Sequence, residues 1–155
     1  MTTTELKTIL VATDGSHSAM EAADFAVGLA ADRQTELIFV HVVPTLDLVA
    51  DADYDVDFAN PHQPTEHDRS LLDNAAELAA SQGVLATTAL LGGATADELV
   101  AYADERGVDL IVVGARGHGV VARALLGSVS LGVLRKSTCP VLIVRRGDSS
   151  HAVSA

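Results

Sequence analysis

Five short, nearly continuous apolar stretches alternate with segments of helical periodicity along the chain. They run over Thr8–Thr13, Glu36–Val43, Leu85–Leu91, Leu110–Val113 and Val141–Val144. Unbroken runs of this kind predict strands of a parallel sheet covered on both faces. Between the first two, Ser18 and Glu21 form a capping-box pattern, and Ala19, Ala22, Ala23, Ala26, Val27 and Ala30 fall on one helical face. Thr65 with Asp68 opens a second helix after Pro64, turning Leu71, Leu72, Ala75, Ala76 and Ala79 inward until Gly83 stops it. Thr95 with Glu98 repeats the pattern for a third, carrying Leu99, Val100 and Ala103 before Gly107, and a fourth helical stretch reaches Lys136. Strict alternation of strand and helix predicts an open, doubly wound sheet of flavodoxin-like or half-Rossmann type. Such sheets bind ligands at the carboxyl ends of the strands where the strand order reverses, which directs attention to the loops after strands one and four.

Two stretches break the pattern. The connection 44–64 holds Asp47, Asp51, Asp53, Asp55 and Asp57 with little periodicity, and partial disorder is preferred there over an ordered lid. The tail 147–155 is small and polar and is expected to fray. At 155 residues the chain has the size of one domain able to bury its own core, and no second boundary is visible.

Charge narrows the class of partner. Ten basic against twenty-one acidic side chains give a net charge of −11, which argues against general affinity for nucleic acid or anionic membrane. Residues 1–109 carry 4 basic and 20 acidic groups, whereas 110–155 carry 6 basic and one acidic, so an anionic ligand finds its most favourable field in the last third. The plainer account is that Arg135, Lys136, Arg145 and Arg146 terminate a helix and a strand. No apolar run is long enough to span a bilayer, the start lacks the layout of a signal peptide, and the single cysteine fits a reducing compartment. A soluble, cytoplasmic protein is expected.

The chemistry gathers after the fourth strand, in Gly114-Ala115-Arg116-Gly117-His118-Gly119 and, eight residues on, Gly127-Ser128. A Walker A loop is excluded, because the chain contains no Gly-Lys pair. Gly117-His118-Gly119-Val120-Val121-Ala122 matches the dinucleotide fingerprint, but that motif belongs on a first βα turn with an acidic residue closing the next strand, and here the next strand ends in Arg145 and Arg146. A third reading spaces Gly114, Gly117 and Gly127-Ser128 as the two halves of a phosphate cradle. Ser128 would then cap the last helix and direct its hydroxyl and the amides of Val129 and Ser130 at the anion. The alternative is that these glycines only shape a turn and permit close packing.

The spacing Gly-x2-Gly-x9-Gly-Ser, met here as Gly114, Gly117, Gly127 and Ser128, resembles the nucleotide-binding signature of the ATP-binding branch of the universal stress protein family. Ile9 to Ser16 at the first strand, His41-Val42 closing the second and Cys139 to Val144 at the last agree with it, so the resemblance covers roughly residues 5–146. It implies a flavodoxin-like, adenine nucleotide alpha hydrolase-like sheet of five parallel strands in the order 3-2-1-4-5, helices on both faces, usually dimeric. It also implies ATP across the ends of strands one and four, with Mg2+ or Mn2+ bound through the phosphates. Carried over residue by residue, Ala12 approaches the ribose by its backbone, Asp14 meets the base and ribose region, and the Val42 backbone reads the adenine edge. Gly114 lies near the ribose; Gly117, Gly127, Ser128 and Val129, with the Ser130 amide, form the cradle.

Plainer roles compete for several residues. Asp14 before Gly15 suits an Asx-turn. His41, inside an apolar strand, reads as a hydrogen-bonded core histidine without chemistry of its own. His62 and His67 bracket Pro64 and cannot share a helix face as zinc ligands would. Arg116 and His118 read as solvent-facing loop residues before phosphate contacts, and Cys139 as a packed thiol. No general base or P-loop lysine is recognisable, so no catalytic residue is assigned. The function expected is a nucleotide-dependent regulator of the stress response. A slow ATPase or autophosphorylating enzyme, with Ser128 or Ser130 as acceptor, is the alternative. Val141–Val144, at a sheet edge in the implied order, is expected to pair with its copy in a homodimer.

Overall fold

The computed structural model describes residues 4–44, 64–116 and 126–145. The expectations for the 44–64 connection and for the tail fall almost entirely outside these residues. Five strands, β1 (Thr8–Ala12), β2 (Glu36–Val43), β3 (Ala86–Gly92), β4 (Leu110–Gly114) and β5 (Val141–Val144), form one sheet, all pairs parallel, in the order β3-β2-β1-β4-β5. Four helices connect them: α1 (His17–Ala31), α2 (Glu66–Ser81), α3 (Thr95–Arg106) and α4 (Ser128–Lys136). This is the flavodoxin-like order that the resemblance implies.

Alternate residues of the central strands feed two cores. Ile9, Val11, Leu37, Phe39 and Val112 pack under α1 and α2, where Ala22, Ala23 and Ala26 let α1 lie close and Leu72, Ala75 and Ala79 seat α2. Leu10, Ile38, Val40, Val42, Ile111 and Val113 face the other way, onto Leu99, Val100 and Ala103 of α3 and Val133 of α4. Phe39, Ile9, Leu10 and Ile111 are wholly buried, each contributing on the order of 1.5–3 kcal/mol relative to exposure. The edges are less covered. Thr87 and Thr88 of β3 are exposed, and Val141, Leu142 and Ile143 of β5 are half-buried.

Three helix starts differ from the sequence expectation. α1 is capped by Ser16, whose hydroxyl accepts the Ala19 amide at 3.2 Å, not by Ser18. The Asp14-Gly15 turn, with Gly15 at φ +79°, brings the chain into the helix two residues early. Glu21 consequently pairs with His17 at 3.0 Å instead of closing a box. α3 begins at Thr95 behind Ala94, which offers no side-chain cap. α4 is capped by Gly127, so Ser128 is its first helical residue. The Thr65-Asp68 capping box of α2 forms as expected, with both reciprocal bonds present.

Candidate functional site

In a parallel sheet every helix starts at the carboxyl edge, and the order here reverses between β1 and β4. Around that point the first turns of α1 and α4 converge on residues 114–116. The Ser18 hydroxyl accepts the Arg116 amide at 3.1 Å. The Ala115 carbonyl accepts the Gly127 amide at 2.7 Å and the Ser130 hydroxyl at 3.1 Å. A Cβ placed on Gly114 would lie 2.6 Å from the carbonyl carbon and oxygen of Ser18, so glycine is what lets α1 reach β4.

The first amides of a helix have no acceptor within it, and the helix dipole places partial positive charge there. Elsewhere in this fold that end is answered by acids: Glu66 and Asp68 in the first turn of α2, Asp97 and Glu98 in that of α3. The first turns of α1 and α4 carry none. Ser128 is exposed and Val129 half-buried.

On the other side of β1 the Thr13 amide donates to the Val40 carbonyl at 2.9 Å, ending the β1 and β2 pairing. Backbone groups alternate along a strand, so Val40 and Val42 turn to the same side. The N–H and C=O of Val42 therefore face the space beyond β1, while Val43 turns the other way and accepts the Gly93 amide at 3.0 Å. Asp14 lies between these two regions, its Oδ1 accepting the Ser16 amide at 2.8 Å in the Asx-turn.

Sequence-expected residues thus fall into three groups. Ala12, Asp14, Val42, Gly114, Gly127, Ser128, Val129 and Ser130 stand along one edge of the sheet. Gly117 and His118 lie outside the described residues. Gly127 and Ser130 differ in detail from expectation. Gly127 is buried in an extended conformation that any residue adopts, and it takes the cap position expected of Ser128. Ser130 is 2% exposed and its hydroxyl is committed to the carbonyls of Ala115 and Gly127, which leaves Ser128 as the accessible hydroxyl of the two.

Sequence reasoning gave His41 a core role and missed its partner. His41, 2% exposed, lies with Nδ1 at 2.9 Å from the Thr13 carbonyl and Nε2 at 2.8 Å from Asp68 Oδ1. Burial pushes the Asp68 carboxyl up. Hydrogen bonds from the Thr65 amide, the His41 ring and the Thr65 hydroxyl, with the charge of His41, outweigh that and hold it below its ordinary range. The available signal was the coincidence of a strand-end histidine with the acidic member of a capping box. Among the described residues no three His, Cys, Asp or Glu side chains are grouped as metal ligands, and no helix is long and apolar enough to cross a membrane.

A five-stranded parallel sheet of this order, with the first turns of α1 and α4 meeting at its switch point, defines a flavodoxin-like α/β protein. The chain belongs to the universal stress protein family, whose description matches residues 5–145. It is 42% identical over 144 residues to the universal stress protein YxiE of Bacillus subtilis, covering 88% of this chain and 97% of that protein. Among solved structures it resembles the hypothetical protein MJ0577 with a TM-score of 0.80 at 28% identity, covering 94% of this chain and all of the other. A universal stress protein solved in complex with cAMP matches at a TM-score of 0.69 and 33% identity, covering 92% of this chain and 98% of that one.

Proposed function

We propose that this protein is a nucleotide-dependent regulator that binds ATP at the carboxyl edge of β1 and β4, its phosphates on the first turn of α4. The observation that carries this reading is the pair of acid-free helix starts, α1 and α4, meeting at residues 114–116. Unanswered amides and the dipole at the start of α4 suit a phosphate chain, and the Ser128 hydroxyl is accessible beside them. The Val42 backbone, turned past the end of β1, offers one donor and one acceptor to an adenine edge. Asp14 and the backbone of Ala12 would meet the ribose between them along the sheet edge. Mg2+ or Mn2+ would be held by the phosphates. The cAMP-bound relative supports the adenine half of this reading. The triphosphate half rests on the start of α4 and on the resemblance of Gly114, Gly117, Gly127 and Ser128 to the ATP-binding signature. The pairing of two copies through β5 and a cytoplasmic, single-domain existence belong to the same proposal.

Calorimetry on nucleotide-stripped protein tests it. ATP with Mg2+ is expected to bind in the micromolar range, roughly −7 to −9 kcal/mol. Binding is expected to weaken from ATP to AMP as phosphates that could meet α4 are removed. Gly127→Val adds bulk at the buried cap of α4 without backbone strain. It is expected to weaken ATP by about ten-fold or more, equivalent to at least about 1.4 kcal/mol, with the far-UV spectrum unchanged. Absence of heat with ATP, AMP and cAMP alike would overturn the reading, and cAMP binding without ATP binding would overturn its triphosphate half.

A further inference from the structure

Both ring nitrogens of His41 face acceptors. The Thr13 carbonyl can only accept, and it lies 2.9 Å from Nδ1. Asp68 Oδ1, 2.8 Å from Nε2, belongs to a carboxylate whose other oxygen already accepts the Thr65 amide and hydroxyl, each at 2.8 Å. A neutral imidazole has one N–H and cannot serve both. The elements packed on this face are α1, which carries His17, Glu21 and Asp24, and α2, which carries Glu66, His67, Asp68, Arg69, Asp73 and Glu77, with Asp14 in the turn that follows Thr13. β1 and β3 carry no charged residue, and α3 packs Leu99, Val100 and Ala103 against the opposite face of the sheet. Among the described residues, Asp68 of α2 is the carboxylate within ion-pair distance of the ring.

A second contact joins the same two regions. Leu71, one turn beyond Asp68, presses on Gly15 so closely that a Cβ there would lie 2.6 Å from its Cδ2. The first turns of α2 therefore touch the Thr13 to Ser16 turn twice, once through the His41 ring and once through Leu71. That turn contains Asp14 and Gly15 and ends on Ser16, the cap of α1.

We propose that His41 is a doubly protonated positioning residue, clamping the turn after β1 to the start of α2 through Thr13 and Asp68. Loss of its proton loosens both and weakens nucleotide binding beside Asp14. Only the last clause rests on the proposed nucleotide site. Deprotonation leaves a lone pair facing either the carbonyl or the carboxylate in a buried setting, and one contact must open. Asp68→Asn separates charge from shape. Its amide oxygen can still accept from Thr65 while its NH2 donates to a neutral ring, so the clamp no longer needs the second proton.

The experiment has two readouts on the full chain. Ring nitrogen NMR is expected to show His41 with both nitrogens protonated at neutral pH in the parent and with Nδ1 alone protonated in Asp68→Asn. ATP affinity is then measured against pH over the interval in which the same spectra report loss of the His41 proton. Relative to Asp68→Asn, the parent is expected to lose about ten-fold in affinity as the ring deprotonates, the change that opening one buried, charge-assisted bond gives. The ionisation of the nucleotide itself is common to both proteins and cancels. Thr65→Ala, which removes the cap of α2 but not the ion pair, is expected to keep the parent's profile. A neutral His41 in the parent at neutral pH overturns the clamp. A flat affinity ratio with normal ATP binding overturns its link to the site. If no nucleotide binds at any pH, the site reading and that link fall together, and the NMR result decides the clamp by itself.

Discussion

Gly114 shows how much one missing methyl group can carry. Any side chain there would strike the Ser18 backbone, and the Arg116 amide would lose its bond to the Ser18 hydroxyl as α1 moved away. Gly114→Ala is expected to destabilise the fold by about 1–3 kcal/mol, the usual cost of overpacking, read as a lower urea midpoint with unchanged m-value. ATP affinity should fall with it, because the same shift moves α1 off the edge of β4. From sequence, Gly114 was visible as part of a motif, but whether it served a ligand or a helix was not, since that depends on which backbone approaches it. The same limit explains Ser16 and Ser18. Both precede a run of alanines at helical spacing, and only the Asx-turn at Asp14 decides which one is the cap.

Among the elements, α2 is the most explicitly specified. Thr65 and Asp68 form the one capping box anticipated in the sequence that the fold realises. Thr65→Ala is expected to cost about 1 kcal/mol by removing a cap. Asp68 also makes stability depend on acid. Its carboxyl is held below the value it has in the unfolded chain, so its contribution is complete above the ordinary carboxylate range. That contribution is lost as pH falls through the folded value. Urea unfolding of the parent and of Asp68→Asn should therefore show a parent advantage at neutral pH that shrinks on acidification. A gap constant down to strongly acidic pH would refute the assignment. Periodicity placed this helix and its buried face correctly, yet it could not show the His41 contact, which joins residues 27 positions apart through tertiary packing.

For the whole molecule, strand and helix order were legible because continuous apolar runs and alanine-rich faces leave few ways to build a two-sided sheet. Strand order was not legible from those patterns. It came from the resemblance, and the fold has it. The proposed pairing of two copies belongs at this scale. β5 is the outer strand beside β4, with Val141, Leu142 and Ile143 half-buried and Arg145 exposed just past its end. Sedimentation equilibrium is expected to give a dimer for the parent and a monomer for the Val141→Lys, Ile143→Lys double variant. A monomeric parent, or a dimer indifferent to both lysines, would refute the interface.

The two rims of the sheet are unlike. β3 ends one side with Thr87 and Thr88 facing water, while β5 ends the other with valine, leucine and isoleucine. If two copies pair through their β5 rims as proposed, each subunit would have a valence of one for edge addition. The outward rim of such a pair would show Thr87 and Thr88 to water and keep Leu90 and Leu91 half-buried. Growth would then stop at a pair.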